Sequence, residues 1–280
     1  MCRLYGFRAS EPTKVECSLV HAQNALMAQS RADMTEGRPH GHGWGVVTYA
    51  DELPRVERQA WAAYQGEHFR RVAARAYSDT VLAHVRRATV GSPGIENTHP
   101  FVHGRWAFAH NGTVRNFEQV RMRMLEAMSP LHRDEIDGTT DSEHIFRLLL
   151  SLHDQDPGRP LIQTLRLCLR LVIDWSREVE PKAKTSLNVL WTDGEQLLGS
   201  KWHRSLWYLE REGVHECEIC GLPHVHHHRD AAYRAVEVAS EPITDERWLQ
   251  VPDGTVYTVD PDMRIRFELI EEETAPAAAS

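Results

Sequence analysis

The segments AHVRRATVG (83–91), NTHPF (97–101), AHNGTV (109–114) and GTTDSE (138–143) decide how this chain is read. Singly, each has an ordinary structural reading. Arg86 suits the surface end of a strand. Asn111-Gly112 is a strong turn signal that would stop a strand over 106–109. Asp141, with Thr139 or Thr140 beside it, suits the cap of the helix that follows, where it would accept from unpaired N–H groups.

Taken together, the same residues supply a chemistry. A thiolate attacking a carboxamide creates a negative oxygen, which needs fixed donors close by. Asn111 offers a side-chain NH₂, and Gly112 offers a backbone N–H with no Cβ to keep a ligand away. A guanidinium such as Arg86 forks onto a carboxylate. A carboxylate such as Asp141 matches an ammonium group. These parts are complementary to a γ-amide of glutamate.

The thiol is at Cys2. Aminopeptidases remove Met1 when the second residue is small, and cysteine qualifies. Removal leaves a thiol and a free α-amine on one residue. The amine, with an ordinary pKa of about 8, can act as the base for its own sulfur. A cysteine at position 2 is unremarkable alone, so the distant segments supply its corroboration.

The ordered set Cys2, Gly-Trp-Gly (43–45), His84-Val-Arg86-x-Ala88-Thr89, Asn97-Thr-His99-Pro100, His110-Asn111-Gly112 and Thr140-Asp141-Ser142-Glu143 resembles a class II glutamine amidotransferase domain of the N-terminal-nucleophile hydrolase superfamily. The likeness spans 2–265. HGWG (42–45), LWYL (206–209) and ASEP (239–242) resemble the stand-alone bacterial members, one of which removes a γ-glutamyl unit during ergothioneine synthesis. The resemblance implies an α+β fold, a four-layer αββα sandwich with two stacked, mainly antiparallel sheets. It implies Cys2 as nucleophile, Arg86 and Thr89 on the substrate α-carboxylate, Asp141 on the α-ammonium, and Asn111 with Gly112 as the oxyanion hole. No cofactor is implied. One departure stands out: the residue after the binding arginine, often aromatic in amino-sugar-forming members, is Arg87. That changes the expected packing over a bound glutamine, and another arginine at the site could read a larger acidic γ-glutamyl compound, so glutamine and such a compound both stand as substrates. In multidomain relatives a second domain receives ammonia. Here either a separate synthase subunit takes it or the protein hydrolyses its substrate outright.

Outside these motifs the chain reads as an ordinary globular protein. Over 280 residues, 32 Lys+Arg against 40 Asp+Glu give a net charge of -8, which argues against a broad nucleic-acid or anionic-membrane surface. A composition of 41% hydrophobic and 26% charged residues fills a core and excludes global disorder. No apolar run approaches the roughly 18 residues of a membrane span, and no signal-peptide core follows Met1. Five cysteines are few and odd in number, which points to a reducing, cytoplasmic setting rather than a disulfide framework. Apolar periodicity predicts strands at 4–7, 46–49 and 80–84 and helices at 15–29 and 69–77. It continues with helices at 116–128, 142–153 and 160–179, then strands at 187–191, 196–199, 205–209, 235–239 and 255–259. Mixed elements, then helices, then strands suggest two stacked sheets with helices outside. Residues 271–280 read as a frayed tail.

Histidine is plentiful, at 17 residues. His84, His99 and His110 sit inside the motifs and read as supporting or core histidines, because the α-amine already supplies the base. His40 and His42 read as loop residues. ECEICGLPHVHHH (216–228) lies in a Cys/His-rich excursion over 213–230. Cys217, Cys220 and His224 have ligand types and spacing suited to zinc, but no distant further ligand is evident, and a polar hairpin excursion is the simpler reading. Two other functional classes compete. One is a catalytically idle amidotransferase-like subunit that binds a partner or metal through 213–230. The other is a papain-like hydrolase using Cys17 or Cys168, although Cys168 lies on an apolar helical stretch and suits a core.

Overall fold

The computed structural model describes residues 2–34, 37–50, 52–88, 91–214, 216–225 and 232–271. Thr89 lies outside them, as do residues 226–228 and residues 272–280 of the expected tail. The first half of the chain runs β1 (Arg3–Lys14), a π-turn (Cys17–His21), α1 (Leu26–Arg31), β2 (Trp44–Ala50), β3 (Leu53–Gln59), α2 (His68–Arg75), β4 (Tyr77–Val85), β5 (Phe101–His103) and β6 (Trp106–Thr113). Helices α3 (Phe117–Ala127), α4 (Pro130–Asp134), α5 (Asp141–Gln155) and α6 (Leu161–Val179) follow. The chain then returns to strands: β7 (Ser186–Thr192), β8 (Leu197–Lys201), β9 (Trp207–Glu212), β10 (Arg234–Ala239), β11 (Leu249–Gln250), β12 (Thr255–Val259) and β13 (Ile265–Leu269).

The strands form two antiparallel sheets, ordered β11-β9-β10-β1-β4-β2-β3 and β13-β12-β8-β7-β6-β5. Period-two alternation builds the layers. Leu4, Val47 and Leu82 of the first sheet meet Ala107, Ala109, Leu190, Leu197 and Tyr257 of the second in a core between the sheets. Their strand neighbours Tyr5, Val46 and Val81 face the other way, against Leu19, Leu26 and Phe69. On the far side of the second sheet, Phe108 and Val189 pack with Val120, Phe146, Leu149, Leu165 and Leu169. Helix, sheet, sheet and helix therefore stack in the expected α+β order. No helix among the described residues is long and apolar enough to cross a membrane.

Three local expectations differ from the fold. Asn111-Gly112 is not a turn: β6 continues through both residues, which pair with Asn188 and Leu187 of β7. Glycine is needed there because a Cβ would stand 1.9 Å from the Ser186 carbonyl oxygen. The helix expected over 15–29 is broken, because Asn24 leaves it to donate from its backbone N–H to the Ile243 carbonyl and from Nδ2 to the Pro242 carbonyl. The strand expected over 205–209 is displaced to Trp207–Glu212, where it pairs with β10.

Candidate active site

Strand register assembles the site. Arg3 of β1 lies opposite Val85 of β4, so Cys2 and Arg86 leave their strands side by side. The Cys2 sulfur lies 3.4 Å from the backbone N–H of Arg87, which donates to it, and 3.5 Å from the Arg87 carbonyl, to which the thiol donates. Burial pushes the thiol pKa up; the Arg87 N–H and Arg86 pull it down, and Asp141 raises it. Cys2 thus feels the charges of both Arg86 and Asp141. Arg86 is buried, and its guanidinium donates to the Ser92 carbonyl at 3.1 Å and the Gly91 carbonyl at 3.5 Å.

The HGWG stretch holds this loop. His42 N–H donates to the Arg86 carbonyl, Arg86 N–H donates to the Gly43 carbonyl, and Ala88 N–H donates to His42 Nδ1. Gly45 is required by close passage, since a Cβ there would stand 2.3 Å from the His99 carbonyl oxygen. His42 is therefore a structural acceptor in this loop, a role its sequence position did not suggest.

Asp141 is the first residue of α5. Thr140 caps that helix by accepting the Glu143 N–H, which leaves the Asp141 carboxylate to other partners. Its Oδ2 accepts the Val114 N–H at 2.8 Å, and its Oδ1 lies 3.2 Å from the Ser142 hydroxyl. A carboxylate offers about four lone-pair positions, so acceptor capacity remains for a bound ammonium. Asn97 stitches the loop after Arg86 to the loop before Asp141: its Oδ1 accepts the Thr139 N–H and its Nδ2 donates to the Ser92 carbonyl.

Asn111 is joined to the start of β1 through one hydroxyl. Both the Leu4 N–H and Asn111 Nδ2 donate to Ser240 Oγ, at 2.9 and 3.4 Å. Gly112 follows on the same strand. The Cys2 carbonyl accepts from buried Arg3, whose guanidinium also bonds Asp33 at 3.0 Å and Glu241 at 2.8 Å. His40 is buried as well and donates to Asp33 at 2.7 Å. This charged cluster pins the backbone of Cys2. Sequence reasoning missed Arg3, Asp33 and the structural use of His40. Ser240 and Glu241 carried a signal only as part of ASEP.

The motif histidines are buried and neutral. Burial holds His84 and His99 well below the usual imidazole range, and their rings lie 4.3 Å apart. His110 is lowered by burial too, with Asp141 opposing. Its Nε2 faces the Ser186 carbonyl at 3.1 Å and so carries the proton, leaving Nδ1 to accept from the Ser142 hydroxyl at 2.9 Å. Cys168 is buried, and its thiol lies 3.8 Å from the Ile145 carbonyl, its only hydrogen-bond partner among the described residues. That placement gives it no part in a cysteine–histidine pair. Cys17 belongs to a cluster with Cys217, Cys220 and His224. A second potential ligand group, His103, His132 and Glu135, is bridged by Arg147, which donates to both His103 and Glu135.

The arrangement brings a half-buried thiol, a guanidinium, a carboxylate and an amide donor to one end of the two central sheets. The family described as "Glutamine amidotransferases class-II" matches residues 1–275. A probable glutamine amidotransferase of Saccharomyces cerevisiae, DUG3, is 27% identical over 310 residues, covering 97% of this chain and 85% of that protein. The gamma-glutamyl-hercynylcysteine sulfoxide hydrolase of Mycobacterium tuberculosis is 27% identical over 264 residues, covering 92% and 93%. A solved glutamine aminotransferase class-II domain protein from Silicibacter pomeroyi superposes with a TM-score of 0.63 at 20% identity, covering 96% of this chain and 99% of that one.

Proposed function

The chain belongs to the class-II glutamine amidotransferases, and from that premise we propose that it hydrolyses the γ-amide of glutamine or of a γ-glutamyl compound through a thioester on Cys2. Once Met1 is removed, the α-amine of Cys2 takes the thiol proton and the sulfur attacks the amide carbon. Asn111 Nδ2 and the Gly112 N–H receive the resulting oxyanion. Collapse breaks the C–N bond, and the α-ammonium returns the proton to the departing ammonia or amine. Water then adds to the thioester, with the amine again as base, and releases glutamate. Arg86 and Asp141 hold the α-carboxylate and α-ammonium of the glutamyl unit, with Thr89 assisting Arg86.

The observation that carries this reading is the neighbourhood of the Cys2 sulfur. The sulfur is bracketed by Arg87 and acted on by Arg86 and Asp141, and Ser240 joins Asn111 to the backbone of Leu4, two residues along the same strand start. A γ-glutamyl compound with an acidic leaving group is favoured over glutamine itself. Arg87 supports this, as does a cavity of about 620 Å³ beside the Gly112 strand, where Arg115, Lys184, Lys201, His203 and Arg204 outnumber the single carboxylate, Asp253. The named substrate of the mycobacterial relative is also a γ-glutamyl compound.

The test is a release assay on purified protein against glutamine and γ-glutamyl amides with neutral or acidic leaving amines, alongside intact mass. The expected mass lacks Met1, and a thiol-trapping glutamine analogue adds to Cys2. Cys2→Ala is expected to fold and lose at least about a thousandfold in kcat/KM. An untrimmable residue placed before Cys2 should have the same effect, because an amide nitrogen is no base. Retained Met1 with no adduct, or an active Cys2→Ala protein, would favour the idle subunit.

A further inference from the structure

The sequence offers Cys217, Cys220 and His224 with no evident further ligand; the fold supplies one. Cys17 stands at the start of the π-turn that follows β1, and one potential ligand atom from each of Cys17, Cys217, Cys220 and His224 lies within 4.8 Å of every other. We propose that these four side chains bind one zinc ion as a closed structural site.

The donor set itself argues for zinc. Three thiols and an imidazole with no carboxylate select a soft or borderline cation over magnesium or calcium. Four such ligands complete a tetrahedral shell and leave no position open for substrate or water. Zn–S bonds of about 2.3 Å and Zn–N bonds of about 2.0 Å put the sulfur and nitrogen ligand atoms of such a site roughly 3.5–3.8 Å apart. Cys220 Sγ and His224 Nε2 are already 3.2 Å apart.

The backbone around the pair is shaped for a thiolate. Gly221 N–H donates to the Cys217 carbonyl at 2.7 Å, and Gly221 has a φ of +71°, which closes the Cys-Glu-Ile-Cys-Gly segment into a tight knuckle. Inside it, the Ile219 N–H points at Cys217 Sγ at 3.4 Å. Donors of this kind orient a metal-bound sulfur and stabilise its charge. The far side is anchored as well: Lys14 N–H donates to the His224 carbonyl, and Val225 bridges to Thr13 at the end of β1. Ile219 packs against the core under the first sheet. All five cysteines are free thiols, and a disulfide could join only two of the three in the cluster.

The site is separate from the candidate chemistry. Cys2 and Cys17 flank opposite ends of β1, whose 12 residues span on the order of 35 Å. An ion there joins the long connection between β9 and β10 to the turn after β1. It replaces regular secondary structure as the means of closing that connection.

The experiment uses untagged full-length protein purified without an immobilised-metal column. Elemental analysis should find about one zinc per chain, and cobalt substitution should give thiolate charge-transfer and tetrahedral visible bands. Cys17→Ser and Cys220→Ser should each bring zinc below about a tenth of an equivalent. A variant with His226→Ala, His227→Ala and His228→Ala should keep its zinc. Cys220 is exposed, so its substitution keeps the test open if Cys17→Ser fails to fold. Stripping zinc with a strong chelator should lower Tm by several degrees. Wild-type protein with less than about a tenth of an equivalent of zinc overturns the proposal. So does zinc that survives Cys220→Ser and is lost with the three histidines. An intramolecular disulfide among these cysteines in the mass of freshly purified protein also overturns it.

Discussion

At the scale of single residues, the Cys2 sulfur lies between the N–H and the carbonyl of one residue, Arg87. The N–H favours the thiolate and the carbonyl favours the thiol, so the sulfur is held in place without being locked into one protonation state. Asn111 contributes differently. Its Nδ2 donates to Ser240 Oγ at 3.4 Å, a long bond that a developing oxyanion would readily replace. Asn111→Ala should therefore lower kcat about a hundred- to a thousandfold with little change in KM. Steady-state kinetics on the best substrate of the release assay measure this, and a loss confined to KM would contradict an oxyanion role. The fold should survive the change, because Ser240 keeps its bond to the Leu4 N–H. Asn111, Arg86, Asp141 and Cys2 could be singled out in the sequence because their side chains together suit one chemistry, and the fold brings them near one another. Arg3, Asp33 and Glu241 could not be, because their pairing depends on three segments that meet only when packed.

At the scale of elements, β6 shows how one dipeptide can mislead. Asn-Gly favours a hairpin turn when the chain is free to reverse. Here β7 pairs with β6 from Ala107 through Thr113, and the two strands approach too closely for a side chain at Gly112. A Cβ there would stand 1.9 Å from Ser186 O and 2.2 Å from His110 Nε2, and the first is backbone that cannot rotate away. Gly112→Ala should destabilise the protein by about 1–3 kcal/mol or more and disturb the site. Gly158→Ala, whose Cβ would meet nothing closer than 3.8 Å, should stay within about 0.5 kcal/mol of wild type. Urea denaturation of the two variants checks the contrast, and equal midpoints would refute the steric argument. The long helices α5 and α6 were readable from their apolar spacing, whereas the broken helix near Asn24 was not. Its break depends on carbonyls of residues 242 and 243, contributed from the other end of the chain.

At the scale of the whole molecule, the buried histidines make stability depend on pH. Burial brings His40 down to about 4, with Asp33 opposing and Arg3 reinforcing. His84, His99 and His110 are displaced in the same direction by burial. As pH falls below about 6.5, the unfolded chain takes up protons on these groups while the folded protein does not. Stability is therefore full above that pH and erodes on acidification. His40 alone accounts for about 3 kcal/mol by the time pH reaches its folded value of about 4. Urea midpoints measured from pH 7.5 down to about 5 should fall steadily. His40→Gln, which cannot titrate, should flatten the slope, and a level profile in the wild type would refute the linkage.

The sequence by itself determined the family and singled out the side chains of the candidate site, because those residue types and their order along the chain are local facts. Its order of elements suggested stacked layers, and the family resemblance implied their αββα arrangement. Only the tertiary structure decided which distant residues become neighbours. It placed Arg3 against Asp33 and Glu241, Ser240 between Leu4 and Asn111, and Cys17 beside Cys217, Cys220 and His224. Such pairs are set by strand register and loop closure, which sum weak interactions over the whole chain and leave no mark at any one position.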